Sequence, residues 1–224
     1  DLRRVHWKST ARTGELMVRR EEQPWESRAT VVLDTRTAAH RGEGPTASFE
    51  WAVSAAASVA VHLRRSNYKM RLVTDGGIDV DAAEAAGEGE LLEHLADVRL
   101  SRNTDVAMLV DRVRTRSDGG LVIAVLGELT AAEAALLGGL RSSGSTCVAF
   151  LIDTLTWLHL PEPHRAEADQ AHAAAVLGLM NSGWRVVSAA HGSKLPLLWP
   201  QAARGSQGFA WRAALAETVA GGVR

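Results

Sequence analysis

The feature that most limits how this chain can fold is a set of short, unbroken apolar runs. Residues 29–33 read Ala-Thr-Val-Val-Leu, 121–126 read Leu-Val-Ile-Ala-Val-Leu, and 146–152 read Thr-Cys-Val-Ala-Phe-Leu-Ile. A strand with one wet face alternates apolar and polar residues. These runs do not, so both of their faces must be covered, as in a parallel sheet packed between two helical layers. Runs at 69–74 and 184–189 complete a set of five expected strands.

Helical spacing fills the gaps between the runs. Phe49, Ala52, Val53, Ala56, Ala60 and Leu63 predict a helix over 48–66, with Ser48 as its N-cap and Asn67 as its stop. Leu91, Leu92 and Leu95 form the inward face of a helix over 90–98. Val106, Leu109, Val110 and Val113 share a face on another, capped by Asn103 or Thr104. Thr130 caps a helix over 131–142, and Gly183 ends one over 164–182. The acidic stretch 78–89 reads as a loop or short helix, and 209–220 as a last helix. Alternating strands and helices imply a doubly wound, mostly parallel α/β sheet with helices on both faces. The simplest division is an N-terminal arm, 1–28, one domain, 29–199, and a tail, 200–224, that is helical in part.

Composition excludes some classes. The net charge of −1 provides no overall basic field, so no nucleic-acid partner is expected. The single cysteine, Cys147, has no partner for an internal disulfide and sits inside a strand-like run, where a small core residue is expected. No apolar run reaches the roughly 18 residues of a membrane span. The chain begins without Met or a signal peptide, so it reads as an excised soluble piece of a longer protein.

Ligands of open parallel sheets lie beyond the carboxyl ends of the strands, where this chain offers Asp34, Asp75, Glu128 and Asp153. Gly42-Glu43-Gly44-Pro45-Thr46-Ala47 fits G-x-G-x-x-A, which raises an alternative function: a nucleotide- or phosphate-binding enzyme of doubly wound fold. Two features count against it. The first glycine lies nine positions after Leu33, and Pro45 removes an amide that could face phosphate. There is no G-x-S-x-G, no P-loop and no histidine motif of zinc-binding type. Seven tryptophans would favour a protein interface if exposed, though core or edge packing is the commoner fate of such residues.

The arm carries the most distinctive words. Asp1-Leu2-Arg3-Arg4-Val5-His6-Trp7-Lys8-Ser9-Thr10-Ala11-Arg12-Thr13-Gly14 resembles the D-x-R-x-I-D-W-K-x-x-A-R-x-G signature of the domain of unknown function family 58, with His6 for Asp and Val5 for Ile. That resemblance implies a von Willebrand factor A-like fold and a MoxR-type AAA+ ATPase as the partner in an assembly or chaperone-like system. It also implies membrane helices upstream of Asp1 and a position on the cytoplasmic side. A purely structural domain of such a membrane protein is a third reading.

A von Willebrand factor A-like fold places D-x-S-x-S after its first strand, to bind a divalent cation through oxygen ligands. Here Asp34 is followed by Arg36 and Ala38 where the serines would stand. Thr104 matches the family threonine and Glu128 replaces the later aspartate. Asp34, Arg36, Thr104 and Glu128 therefore form a degenerate metal-adhesion site. Arg36 acts in it as a built-in cation, able to pair with Asp34 or Glu128. No cofactor is expected, and weak magnesium binding is the most the site would retain. The function expected is a non-enzymatic protein-interaction module. Arg3, Arg4, Trp7, Lys8, Arg12, Asp34, Arg36 and Thr104 are its contact candidates.

Overall fold

A computed structural model describes residues 27–76, 79–81, 88–115, 120–141, 145–158 and 161–203. The arm with Arg3, Arg4, Trp7, Lys8 and Arg12, and the helix expected over 209–220, lie outside the described residues.

Five parallel strands, β1 (Arg28–Leu33), β2 (Lys69–Thr74), β4 (Leu121–Leu126), β5 (Thr146–Ile152) and β6 (Arg185–Ala189), form the sheet with one short antiparallel edge strand, β3 (Asp79–Asp81). The order is β3-β2-β1-β4-β5-β6. The apolar runs do what two-sided burial requires. In β4, Leu121, Ile123 and Val125 face one helical layer, while Val122, Ala124 and Leu126 face the other. β5 divides the same way, with Val148, Phe150 and Ile152 on the first side and Cys147, Ala149 and Leu151 on the second.

The first layer holds α1 (Ser48–Arg65), α2 (Glu88–Asp97) and α6 (Leu195–Ala203). The second holds α3 (Ala107–Thr115), α4 (Ala131–Gly138) and α5 (Glu162–Asn181). α1 buries Phe49, Ala52, Ala56, Val59, Ala60 and Leu63, one face of a 3.6-residue repeat. It ends where Asn67 turns left-handed at φ 59°. The Tyr68 amide bonds back to the Leu63 carbonyl and the Asn67 amide to that of Arg64, which satisfies the last orphan carbonyls. Gly183, at φ 82°, closes α5 by the same arrangement.

Several expectations need correction. Ser48 is the first helical residue rather than the cap, because its hydroxyl accepts from the Arg41 amide at 2.8 Å. Asp105, not Asn103 or Thr104, caps α3 by accepting from the Ala107 amide at 2.8 Å. The stretch 78–89 contributes the edge strand β3 and the start of α2. Leu92 is exposed while Leu91 and Leu95 are buried, so the inward face of α2 is narrower than three leucines. The boundary at 199/200 falls inside α6, whose start accommodates Pro196.

That boundary matters for the core. Trp199 stacks on Phe150 with ring centroids 6.0 Å apart and planes within 7° of parallel, and it meets the His62 ring edge-on at 5.4 Å. Ala202 is fully buried beside it. We expect Trp199→Ala to cost about 3–5 kcal/mol of folding stability, as truncation of a buried large aromatic does. Urea denaturation checks this, and a loss below about 1 kcal/mol would return α6 to the tail.

Candidate functional site

β1 leads through α1 on one face to β2, whereas β4 is entered from α3 on the other face. The carboxyl ends of the adjacent strands β1 and β4 therefore form the point where the winding reverses, and a crevice opens there in folds of this kind. Asp34 follows β1 and Gly127-Glu128 follow β4, so topology brings three separated residues together.

Arg36 fills the crevice. Its Nε donates to Asp34 Oδ1 at 2.9 Å and its Nη2 to Oδ2 at 2.9 Å, a two-pronged ion pair. Nη1 donates to the Glu133 carboxylate and Nη2 also to the Glu128 carbonyl at 3.2 Å. The Asp34 carboxylate takes two further amides, from Arg36 and Gly127, both at 3.2 Å. Side-chain exposure is 3% for Arg36 and 0% for Asp34. Burial alone would lower the Arg36 pKa, but its bonds to Asp34 and the charges of Asp34 and Glu133 outweigh it, and the value is raised. The guanidinium stays charged.

Glu133 reaches this pair because of a local rule. It is the third residue of α4 and completes a capping box with Thr130: the Thr130 hydroxyl accepts from the Glu133 amide, and Glu133 Oε2 accepts from the Thr130 amide at 2.8 Å. Its other oxygen is left for Arg36. Gly127 is required by close approach. A Cβ there would press into the Ala39 carbonyl oxygen, in the 3₁₀ turn Thr37–Ala39 that follows Arg36. The Glu128 amide bonds to that same oxygen at 2.8 Å.

A second buried carboxylate braces the first. Asp75, at the end of β2, accepts from the Thr35 amide and hydroxyl, both at 2.6 Å, from the Ser101 hydroxyl, and from Asn103 Nδ2 at 3.2 Å. Ser101 also bridges the β1 extension: its amide donates to Thr35 O at 2.7 Å, and its carbonyl accepts from the Thr37 amide at 2.9 Å. Thr35 and Thr37 bracket Arg36, so this segment fixes the backbone that aims the guanidinium.

The expected residues thus separate. Asp34 and Arg36 are joined directly, and Glu128 contributes its carbonyl. The Glu128 carboxylate instead turns outward, accepts from Arg41 Nη2 at 2.7 Å and receives the Thr154 hydroxyl at 3.3 Å. Thr104 is exposed and makes none of the bonds that join Asp34, Arg36 and Glu128. Glu133, His40, Ser101 and Asn103 were not among the sequence candidates. For Glu133 a signal existed, since Thr130-Ala131-Ala132-Glu133 spells the capping box.

The other possible chemistries find little footing. Cys147 is buried in β5, and burial pushes its thiol up to about 11, far from a reactive thiolate. Among the described residues no group of three His, Cys, Asp or Glu side chains gathers as a metal cluster. In the 42–47 loop the Ala47 amide bonds to the Gly44 carbonyl, the Ser48 amide to the Arg41 carbonyl, and Trp157 Nε1 donates to Thr46 O at 2.7 Å. Those groups are turned inward rather than toward a phosphate. Trp51 and Trp157 are partly buried at this rim, and Trp184 and Trp199 are in the core.

His40 lies under the site. Its Nε2 faces the Asp34 carbonyl at 2.8 Å and its Nδ1 the Ser48 hydroxyl at 3.2 Å. A carbonyl only accepts, so the proton sits on Nε2 and Ser48 donates to Nδ1. Burial lowers the His40 pKa, partly opposed by the Asp34 charge. The unfolded imidazole binds a proton near pH 6.5, whereas the folded one resists until lower pH. Stability is therefore full above about pH 6.5 and declines as pH falls from there toward the folded value, by up to about 1.4 kcal/mol per pH unit. We expect chemical denaturation between pH 7 and 5 to show this slope, and His40→Gln to flatten it. An unchanged slope in the variant would assign it elsewhere.

No curated protein and no solved structure matches the chain. One family does, over residues 1–137, under the description Protein of unknown function DUF58. The match begins at the arm and takes in Asp34, Arg36, Asp75, Glu128 and Glu133, and the chain belongs to this family.

Proposed function

We propose that this domain is a protein-interaction module of von Willebrand factor A-like type in which arginine replaces the adhesion metal. One observation carries the reading. At the strand ends where such folds hold a cation, the buried Arg36 guanidinium is bonded to Asp34, Glu133 and the Glu128 carbonyl. A metal-bridged partner carboxylate has no open position there. The function left to the site is to hold a rigid rim that displays the partly exposed ion pair Arg41–Glu128. A MoxR-type AAA+ ATPase, the partner implied by the arm signature, is the protein we assign to that rim.

Two measurements test this. Calorimetric titration of the native chain with magnesium or manganese gives no binding tighter than about millimolar, equivalent to some 4 kcal/mol. Arg36→Ser, which vacates the crevice and restores one hydroxyl, gains measurable manganese binding. Submillimolar binding by the native chain would overturn the replacement of metal by arginine. For the partner, the double exchange Arg41→Glu with Glu128→Arg keeps a salt bridge but reverses the polarity of the rim. We expect capture of the ATPase to fall at least tenfold with little change in melting temperature. Undiminished capture by the exchanged variant would remove the rim from the interface.

A further inference from the structure

Asp153 follows the last residue of β5 and precedes the 3₁₀ turn Thr154–Trp157. An aspartate in that place ordinarily caps the turn, but this side chain makes no capping bond. Its Oδ1 is buried and, among the described residues, no group donates to it. The backbone beneath is nonetheless held on both sides. The Asp153 amide donates to the Ala189 carbonyl at 2.9 Å, and the Asp153 carbonyl accepts from the Thr156 hydroxyl at 2.7 Å. A carboxylate oxygen kept dry without a donor is a cost to folding, and nothing in its surroundings offsets it.

Asp153 lines a small hollow between the carboxyl ends of β4 and β5 and the helix α5, together with Glu128, Thr154, Leu155, Ala168 and His172. The polar groups of this lining are acceptors or are already engaged. The Thr154 hydroxyl donates to Glu128 Oε2 at 3.3 Å, and His172 Nε2 meets the Ser188 hydroxyl at 3.0 Å. The group that completes the hollow must therefore donate, and two carboxylates favour a cationic donor. A divalent metal is a poor fit, because it requires about six oxygen ligands and no group of three His, Cys, Asp or Glu side chains gathers among the described residues. Size narrows the choice further. The free space is about that of one water molecule, which a compact ammonium matches and a planar guanidinium exceeds. It takes the tip of a side chain rather than a whole metabolite, and the apolar walls from Leu155 and Ala168 suit a methylene stem. We infer that this hollow is a subsite for the ammonium of a lysine presented by a protein partner. The protein source of the lysine rests on the interaction reading above, whereas the preference of the hollow for ammonium does not.

The experiment is an NMR titration of the ¹⁵N-labelled 224-residue chain with N-acetyl-lysine methylamide, against its Nε-acetylated form and N-acetyl-arginine methylamide. The lysine probe should shift the amides of Asp153, Thr154 and His172 saturably, and the other two should bind about tenfold more weakly, as loss of one charged hydrogen bond implies. Asp153→Asn should weaken the lysine probe by about tenfold without lowering the melting temperature, since no native bond to Oδ1 is lost. A carboxylate with a purely structural role would lower it. Ala168→Leu, which plugs the hollow and leaves both carboxylates in place, should also remove binding. Absence of a saturable shift at these amides in the native chain overturns the inference and leaves the hollow to a water. So does equal binding of the arginine probe, or undiminished lysine binding in either variant. Lysine binding to the native chain together with undiminished ATPase capture by the Arg41→Glu, Glu128→Arg exchange would instead overturn the rim as the partner's interface and leave the ammonium subsite standing.

Discussion

A buried arginine and a buried aspartate, two residues apart, set the terms for the carboxyl end of this sheet. Removing both charges from water costs several kcal/mol for each ion before any attraction is counted. The cost is bearable only if every lone pair and N–H nearby is used. Asp34 accordingly takes four donors, and Arg36 spends its N–H groups on Asp34, Glu133 and the Glu128 carbonyl. The surrounding structure follows from that demand. Gly127 has no side chain so that the turn after Arg36 can close, α4 begins where Glu133 can reach inward, and the backbone on either side of the arginine is pinned by Asp75 at Thr35 and by Ser101, itself bonded to Asp75, at Thr37. Loss of either charge alone would strand the other in a dry crevice, a change worth about 3–5 kcal/mol.

This arrangement separates rigidity from exposure. The ion pair is sealed, whereas the charges that meet solvent above it belong to Arg41 and Glu128, at 32% and 45% side-chain exposure. An exposed pair of that kind contributes little to folding. Its value lies in display, because Glu128 is fixed by its own backbone to the Ala39 turn and by its carbonyl to Arg36. A rim charge with an anchored backbone loses less freedom on binding than one on a free loop, which favours recognition over flexibility.

How much of this was legible beforehand follows from which forces are local. The strands were plain because two-sided burial writes unbroken apolar runs, and β2 and β4 begin and end where their runs do. The ends of helices were harder, since capping depends on which donor a side chain finds in three dimensions. Ser48 looks like a cap but serves Arg41 and His40, and Asp105 does the capping expected of its neighbours. At the site, Asp34 and Arg36 could be paired from sequence because they are two residues apart. Glu133 is separated from Arg36 by 97 positions and Ser101 from Asp75 by 26, and only the reversal of winding between β1 and β4 joins the former pair. Thr104 shows the converse: a matching letter in a matching loop that stands exposed, while the neighbouring Ser101 and Asn103 make the contacts to Asp75.

Net charge is blind to position for a related reason. A sum over sequence treats Arg28 and Asp34 as cancelling, although a strand of six residues carries them to opposite ends of the sheet. At about 3.3 Å per residue that separation is near 20 Å, roughly two Debye lengths at physiological salt. In a parallel sheet every strand runs the same way, so a bias toward bases at strand starts and acids at strand ends adds across the strands instead of alternating. An antiparallel sheet with the same composition would scatter those charges over both ends. The same parallel topology that gathers Asp34, Asp75 and Glu128 near Arg36 puts Arg28, Lys69 and Arg185 at the opposite ends of their strands.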